Sequence, residues 1–470
     1  MSSRAATAAI SSALTLAGCA AIPPVHLADV KPASAYRADQ TFAAPTISWP
    51  GDEWWRAYDD AQLNQLIDEA LAASPNVAEA RARLDKADAL AGVARANLFP
   101  TLQGQAQVDE TKQSYNTGIP PAFVPHGWNS FGQTTLNFSW ELDFWGKNRK
   151  ALAAAVSDAK ASDADLAEAR LVLSTAIASA YADFYRLWAE RDVAERAVKS
   201  REETLDLVRR RVDNGLDTRG ELEEAKAGPA NARSDLAAID EDIALSRDRI
   251  AALMGQGPDR GLAIQRPSAP SLKAFGLPPR LPADLIGRRP DLAAARWRAE
   301  AAAGRIGVAK AQFYPDINLA AAIGFESLGI SKLFLSGSST GQVGPAITLP
   351  IFEGGRLRAN LRGARADYET AVASYDETLT QALQDVADVA ASERALSARV
   401  QHSTDALTAD EDAYRIARLR YEGGLANYQS VLLVENAVLT DRRTVVDLKA
   451  RAFTLDVQLI RALGGGYLTN

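Results

Sequence analysis

Two hydrophobic periods alternate along this chain, and the alternation occurs twice. Apolar residues recur at Val77, Ala80, Leu84, Ala87, Ala91, Ala94 and Leu98, and again at Leu292, Ala295, Ala299, Ala302, Ile306, Ala309 and Phe313. Alternating steps of three and four predict helices that pack along another helix as a narrow stripe. Past Pro100 and Pro315 the period becomes two. Leu102, Gly104, Ala106 and Val108 alternate with Gln103, Gln105, Gln107 and Asp109, and Leu136, Phe138, Trp140 and Leu142 with Asn137, Ser139 and Glu141. In the second half Ile317, Leu319, Ala321, Ile323 and Phe325 form one run, and Val343, Ile347, Leu349 and Ile351 another. Loops rich in small and turn-forming residues, Ser114 to Ser130 and Leu328 to Thr340, separate the paired runs. Each run approaches the ~10 residues of a tilted membrane-spanning strand that is apolar on one face only. A soluble half-buried strand has the same pattern, but Trp128, Trp140 and Trp145 stand near strand ends, as an interfacial girdle would.

Each strand pair is followed by a glycine-containing turn and a proline-free helical stretch, roughly Lys147 to Val212 and Arg356 to Tyr421. At ~1.5 Å per residue each spans ~100 Å. Their stripes (Leu166, Leu173, Ile177, Ala180, Phe184, Leu187; Val372, Tyr375, Leu379, Ala382, Val386, Val389) suit a bundle or a hollow coiled-coil tube rather than a compact domain. Both end in a glycine turn, Asn214-Gly215-Leu216 and Gly423-Gly424-Leu425, and each turn opens a returning helix. Pro229 should kink the first returning helix where the second has Val438.

The two halves are one sequence written twice. Pro75–Pro100 and Pro290–Pro315 align without a gap, 11 of 26 positions being identical, Gly92/Gly307 among them. This divides the chain into residues 1–18, a signal segment; 19–74, a Pro- and Ala-rich tether leading to an aromatic helix entry at Trp54, Trp55 and Tyr58; 75–255 and 283–464, the two repeats; 256–282, a linker; and 465–470, a tail.

Composition narrows the functions. Of 470 residues, 47% are apolar and 24% charged, enough to fold, and the net charge of −7 argues against a nucleic-acid partner. Three scattered histidines and one cysteine offer neither a zinc site nor a His-dependent catalytic constellation, so no enzyme and no cofactor is expected. After the N-terminus no apolar run is long enough for a transmembrane helix. At the N-terminus Arg4 and a small apolar run lead to Leu16-Ala17-Gly18-Cys19, the only cysteine. Four strands cannot close a barrel, and an open sheet edge is not tolerated in lipid, so several copies must share one barrel.

The stretch LPADLIGRRPDLAAARWRAEAAAGRIGVAKAQFYPDINL resembles the signature of the TolC-like outer-membrane efflux factors, in particular the lipoprotein (NodT-type) branch serving RND systems. The resemblance implies a mainly α fold with a membrane β-barrel: a homotrimer whose twelve strands continue into a long α-helical barrel. It implies an exit duct in the outer membrane that extends into the periplasm and works with a periplasmic adaptor (membrane fusion) protein and an inner-membrane RND-type pump. The segment before Cys19 resembles a lipobox, making Cys19 an acylated, palmitate-bearing residue anchored in outer-membrane lipid, and Ala20 the pattern that permits transfer to the outer membrane. By analogy the adaptor engages Asn214, Gly215, Leu216, Gly423, Gly424 and Leu425.

The family also closes its periplasmic end with tyrosine, arginine and aspartate contacts. Here the tyrosine position is Tyr421 and one acidic position is Glu221, but the arginine position is Ala426 and the two aspartate positions are Ser430 and Leu433. Glu223, Glu224 and Glu435 stand nearby, as a substitute acidic mouth or simply as solvated charges on a helix face. A gate closed partly by an apolar Leu433 ring, with cation preference set by the first hairpin's glutamates, is the expectation. The competing expectation is a structural lipoprotein that uses its coiled coils as a periplasmic spacer, which would need no barrel strands. The periplasmic adaptor itself also has a helical hairpin, but the duplicated strand pairs argue against it.

Overall fold

The structure, a computed structural model, describes residues 31, 35–36, 40–279 and 281–469. The signal segment and Cys19 lie outside the described residues. The remainder falls into two units, Leu84–Ser162 with Ala295–Tyr375, and a second built from Asp163–Ala294, the chain from Asp376 onward and the segment ending at Arg83. Each unit therefore draws on both sequence repeats.

The first unit holds a four-stranded antiparallel sheet: β1 (Thr101–Thr111), β2 (Asn129–Glu141), β3 (Asp316–Leu328) and β4 (Ser339–Thr348), in the order β1-β2-β3-β4. Its centre joins the repeats, Leu136 opposite Ile323 and Phe138 opposite Ala321. Two boundaries differ from the period-2 reading. β2 begins at Asn129 rather than near Leu136, and β4 stops at Thr348, leaving Leu349 and Ile351 outside it. Pro350 lacks the amide donor a longer ladder would need.

The striped helices are α1 (Ala61–Ala73), α2 (Pro75–Ala96) and, in the second repeat, α6 (Leu281–Arg288) and α7 (Pro290–Ala311). Every seam position of α7, with Phe313 just past its end, is buried. In α2 only Val77, Ala80 and Ala91 are, the other four being half-buried. Within the first unit Ile306, Ala309 and Phe313 pack on Leu357 and Leu361.

The long helices α3 (Lys147–Asp213) and α8 (Arg356–Glu422) have 67 residues each, and the returning helices α4 (Arg219–Leu253) and α9 (Tyr428–Ala462) have 35 each. In these helices the duplication holds to the residue. α4 runs through Pro229 as one continuous helix, with the proline buried. A short helix, α5 (Pro258–Leu262), belongs to the linker. In the second unit Trp54, Trp55 and Tyr58 are buried as a core entry; Tyr58 meets Phe453 edge-on and donates to Asp456 at 2.6 Å.

Candidate conduit site: sheet faces and hairpin tips

The strand register sorts the sheet residues into two chemically different faces, because side chains of directly paired residues point to the same side. Leu102 pairs with Phe138, Leu136 with Ile323, Ala321 with Val343, and Ile317 with Ile347, giving one apolar face. The opposite face carries Gln103 beside Asn137, Gln105 beside Thr135, Gln107 beside Gln133, and Gln342 in line with the first pair through Ala322. The apolar face is exposed, Leu102 at 67%, Ile323 at 67% and Val343 at 81%. Such a surface fits a lipid environment and not water. β1 and β4 each have one unpaired edge, which lipid does not tolerate.

Aromatic residues gather where the strands meet the helices. Trp145 stacks on Tyr314 at 4.7 Å and donates to the Pro315 carbonyl at 2.8 Å, and Trp140 donates to the Leu98 carbonyl at 3.1 Å. Phe144, next to Trp145, and Phe352, just past β4, are exposed, and Trp128 is exposed at the other end of β2. This is the distribution of side chains that suits a membrane interface, apolar in body and polar at one edge.

At the hairpin tips of the second unit, Gly215 and Gly424 adopt φ of 72° and 74°, a left-handed turn that glycine takes without steric cost. Leu216 donates its amide to the Arg211 carbonyl at 2.8 Å, and Leu425 to that of Arg420 at 2.7 Å, so both helices close with the same cap. Each tip thereby presents an exposed leucine, Leu216 and Leu425, and Asn214 caps Arg210 at 2.7 Å.

Tyr421 joins the two hairpins, but not through the acid the sequence suggested. Its hydroxyl donates to Asp217, and Arg211 binds the same carboxylate at 2.9 and 3.2 Å while its guanidinium lies 4.5 Å over the tyrosine ring. Burial alone would raise the Asp217 carboxyl, but hydrogen bonds from Arg211 and Tyr421, with the guanidinium charge, hold it below the usual range. Burial, then Asp217, pushes the Tyr421 phenol up. Tyr421 is fully buried against Tyr428, Val208, Ala225 and Val431. The guanidinium at Tyr421 comes from the first hairpin, Ala426 having none to offer. Glu221 is occupied elsewhere: it accepts from the Thr218 amide at 2.8 Å in a capping box that starts α4.

Other expected gate residues separate by burial. Glu224 accepts from Gln429 at 2.8 Å, linking α4 to α9, and Leu433 is 73% exposed. Glu435, expected as an acidic-mouth or solvated charge, is instead 2% exposed. It lies 3.2 Å from Arg201 and accepts from Ser200 at 2.8 Å. Burial raises its carboxyl, with Arg201, Ser200 and Arg418 opposing. Glu435 is held inward by α3, a helix far away in sequence, through the Arg201 ion pair and the Ser200 hydrogen bond.

Arg289, from the Gly-Arg-Arg-Pro-Asp stretch, is also buried, bound to Asp291 at 2.6 and 3.0 Å, to Asp385 at 2.9 Å and to the Ala462 carbonyl at 3.2 Å. It lines a cavity of about 510 Å³ with Glu168, Arg461 and Gln381. Burial and the Asp291 charge push Glu168 up to about 7, against Arg289 and Arg461. Among the described residues no group of His, Cys, Asp and Glu is arranged to hold a metal ion, and no helix is long and apolar enough to cross a membrane, which says nothing of a β-barrel.

The sequence profile of the outer membrane efflux protein family matches residues 66–256 and 281–465, one match for each repeat. The fusaric acid resistance protein FusA of Burkholderia cepacia is 38% identical over 77% of this chain and 69% of its own. The multidrug resistance outer membrane protein MdtQ of Escherichia coli O6:H1 is 31% identical over 97% of this chain and 96% of its own. The crystal structure of the outer membrane protein VceC from Vibrio cholerae superimposes with a TM-score of 0.85 at 46% identity, covering 89% of this chain and all of that one.

Proposed function

The chain belongs to the outer membrane efflux protein family and is an outer-membrane efflux channel of TolC-like fold; from that premise we propose that three copies complete one twelve-stranded barrel and carry solutes from an inner-membrane RND-type pump and a periplasmic adaptor to the exterior. The observation that carries this reading is the open-edged sheet, exposed on its apolar face and amide-lined on the other. The apolar face meets lipid, the amides line the lumen, and the free edges of β1 and β4 pair between copies. Such a wall is wide and uncharged over most of its height, so the pump sets the choice of cargo. Drug-like solutes fit, given that the relatives are named for resistance to fusaric acid and to multiple drugs.

The same reading assigns the remaining parts. Acylation at Cys19 anchors the chain in outer-membrane lipid. The exposed leucines of the tips, Leu216 and Leu425, with Asn214, Gly215, Gly423 and Gly424 holding the turns, receive the adaptor. Tyr421, Asp217 and Arg211 hold the second hairpin to the first in the closed duct. Leu433 narrows the mouth, and Glu221 and Glu224 favour cations there. The test is export: with its adaptor and pump, the chain should restore efflux of a fluorescent drug-like dye to a host lacking outer-membrane channels. Normal assembly in the outer membrane without restored efflux would refute it.

A further inference from the structure

The β3–β4 loop, residues 329–338, does not stand away from the sheet but folds back over its apolar face. A Cβ at Gly132, on that face opposite Val108 and Ser327, would lie 3.5 Å from Leu333 and 3.7 Å from Ile330. Phe334 meets Phe325 of the same face edge-on at 5.5 Å. Leu333 is buried by this arrangement, whereas Ile330, Phe334 and Leu335 are left exposed at 47%, 73% and 58%. Lys332 is the loop's only charged side chain and is exposed. The loop lies at the ends of the strands remote from the long helices, which in the proposed duct is the outer side of the membrane.

We propose that this loop is a lipid-docking surface for the phosphorylated glycolipid of the outer leaflet, with Phe334 and Leu335 among its acyl chains and Lys332 on a phosphate. Two features favour this occupant over a protein. The exposed side chains continue the sheet's lipid-facing surface without a break, so they share its environment. Their single charge is positive and sits beside aromatic and aliphatic groups, the composition that suits an anionic headgroup layer. Gly132 lies directly under the loop, where an added Cβ would be in ordinary contact with Leu333 and Ile330.

The inference rests on the barrel reading, and the experiment separates the two. The full chain carrying Leu335→Cys, Ile323→Cys or Gln105→Cys is labelled with an environment-sensitive fluorophore, the unsubstituted chain serving as labelling background. Each is placed in nanodiscs of phosphatidylcholine bearing a doxyl quencher. Quenching at positions 335 and 323 but not 105 is expected. In detergent, binding of diphosphoryl lipid A followed by native mass spectrometry should weaken roughly fivefold in Lys332→Gln, the factor for one lysine at an anionic lipid surface, with phosphatidylcholine binding unchanged. Quenching at 323 without quenching at 335, or unaltered lipid A binding in Lys332→Gln, overturns the proposal alone. Absence of quenching at 323 overturns the barrel reading and the proposal with it.

Discussion

Gly92 and Gly307 hold the same position in the two repeats, yet only Gly307 is closed over. An added Cβ at Gly307 would lie 2.5 Å from Lys150 of α3, while one at Gly92 would meet nothing within 4 Å. Gly304, one turn earlier, is likewise closed by Ala154 at 3.1 Å. α7 has a helix against its glycine face, and α2 lacks the matching one within the chain. In the proposed ring of copies, the next copy's α8 takes the place beside α2 that α3 takes beside α7.

Gly92→Leu should therefore weaken assembly while leaving the single chain folded, by about 1–3 kcal/mol per contact if it overpacks a close helix crossing. Gly307→Leu should instead lower the thermal stability of the chain itself. Native gel migration and circular dichroism melting distinguish the two. Complexes of Gly92→Leu as durable as the parent's would remove this argument for the ring.

The Tyr421–Asp217 bond, with Arg211 lying over the tyrosine ring, ties the hairpins together at their tips. A hydrogen bond to a charged partner contributes about 1.5–3 kcal/mol, so Tyr421→Phe or Asp217→Asn should raise the open fraction roughly tenfold or more. Cells expressing either variant should become sensitive to a hydrophilic antibiotic too large for general porins. Unchanged sensitivity at equal expression would count against the latch.

Glu435 and Arg201 form a buried pair, and removing one partner strands the other's charge. Glu435→Ala is expected to cost about 3–5 kcal/mol, whereas replacing both, Arg201→Met with Glu435→Leu, should cost far less. Urea unfolding midpoints measure both. A double variant as unstable as the single one would show that packing, not charge, decides the site.

Glu168 gives the pH dependence a sign. Its carboxyl is raised from 4.5 to about 7 in the folded chain, so between those values the folded state holds a proton that the unfolded state has released. Stability should fall as pH rises through this window, by on the order of 3 kcal/mol at most, and level off above it. Thermal melting from pH 4.5 to 7.5 should show that decline in the parent and not in Glu168→Gln. An identical decline in both would assign it to other groups.

How much of this was legible in the sequence depended on how local each cause is. The helix lengths were readable because glycine and proline punctuate them, and the predicted ends at Val212 and Tyr421 fall one residue short of those observed. The outer half of β2 was not. At Gly132 and Thr134 the apolar face carries a small and a polar residue, and at Gly132 the cover comes from Ile330 and Leu333 of a loop far along the chain. The Tyr421–Asp217 contact was hidden for the same reason, the two residues being 204 residues apart. The family pattern directed attention to Ala426, whereas the arginine came from the other hairpin. On a helix face Glu435 reads as solvated until Arg201 is brought beside it.

Single-channel recording in planar bilayers tests the central claim most directly, that copies of this chain close their open-edged sheets into one conducting barrel. The purified full-length protein should insert with uniform, discrete current steps, and a variant combining Tyr421→Phe with Asp217→Asn should show larger steps of the same kind. Folded protein that binds the bilayer and yields no discrete step in either form would contradict the account.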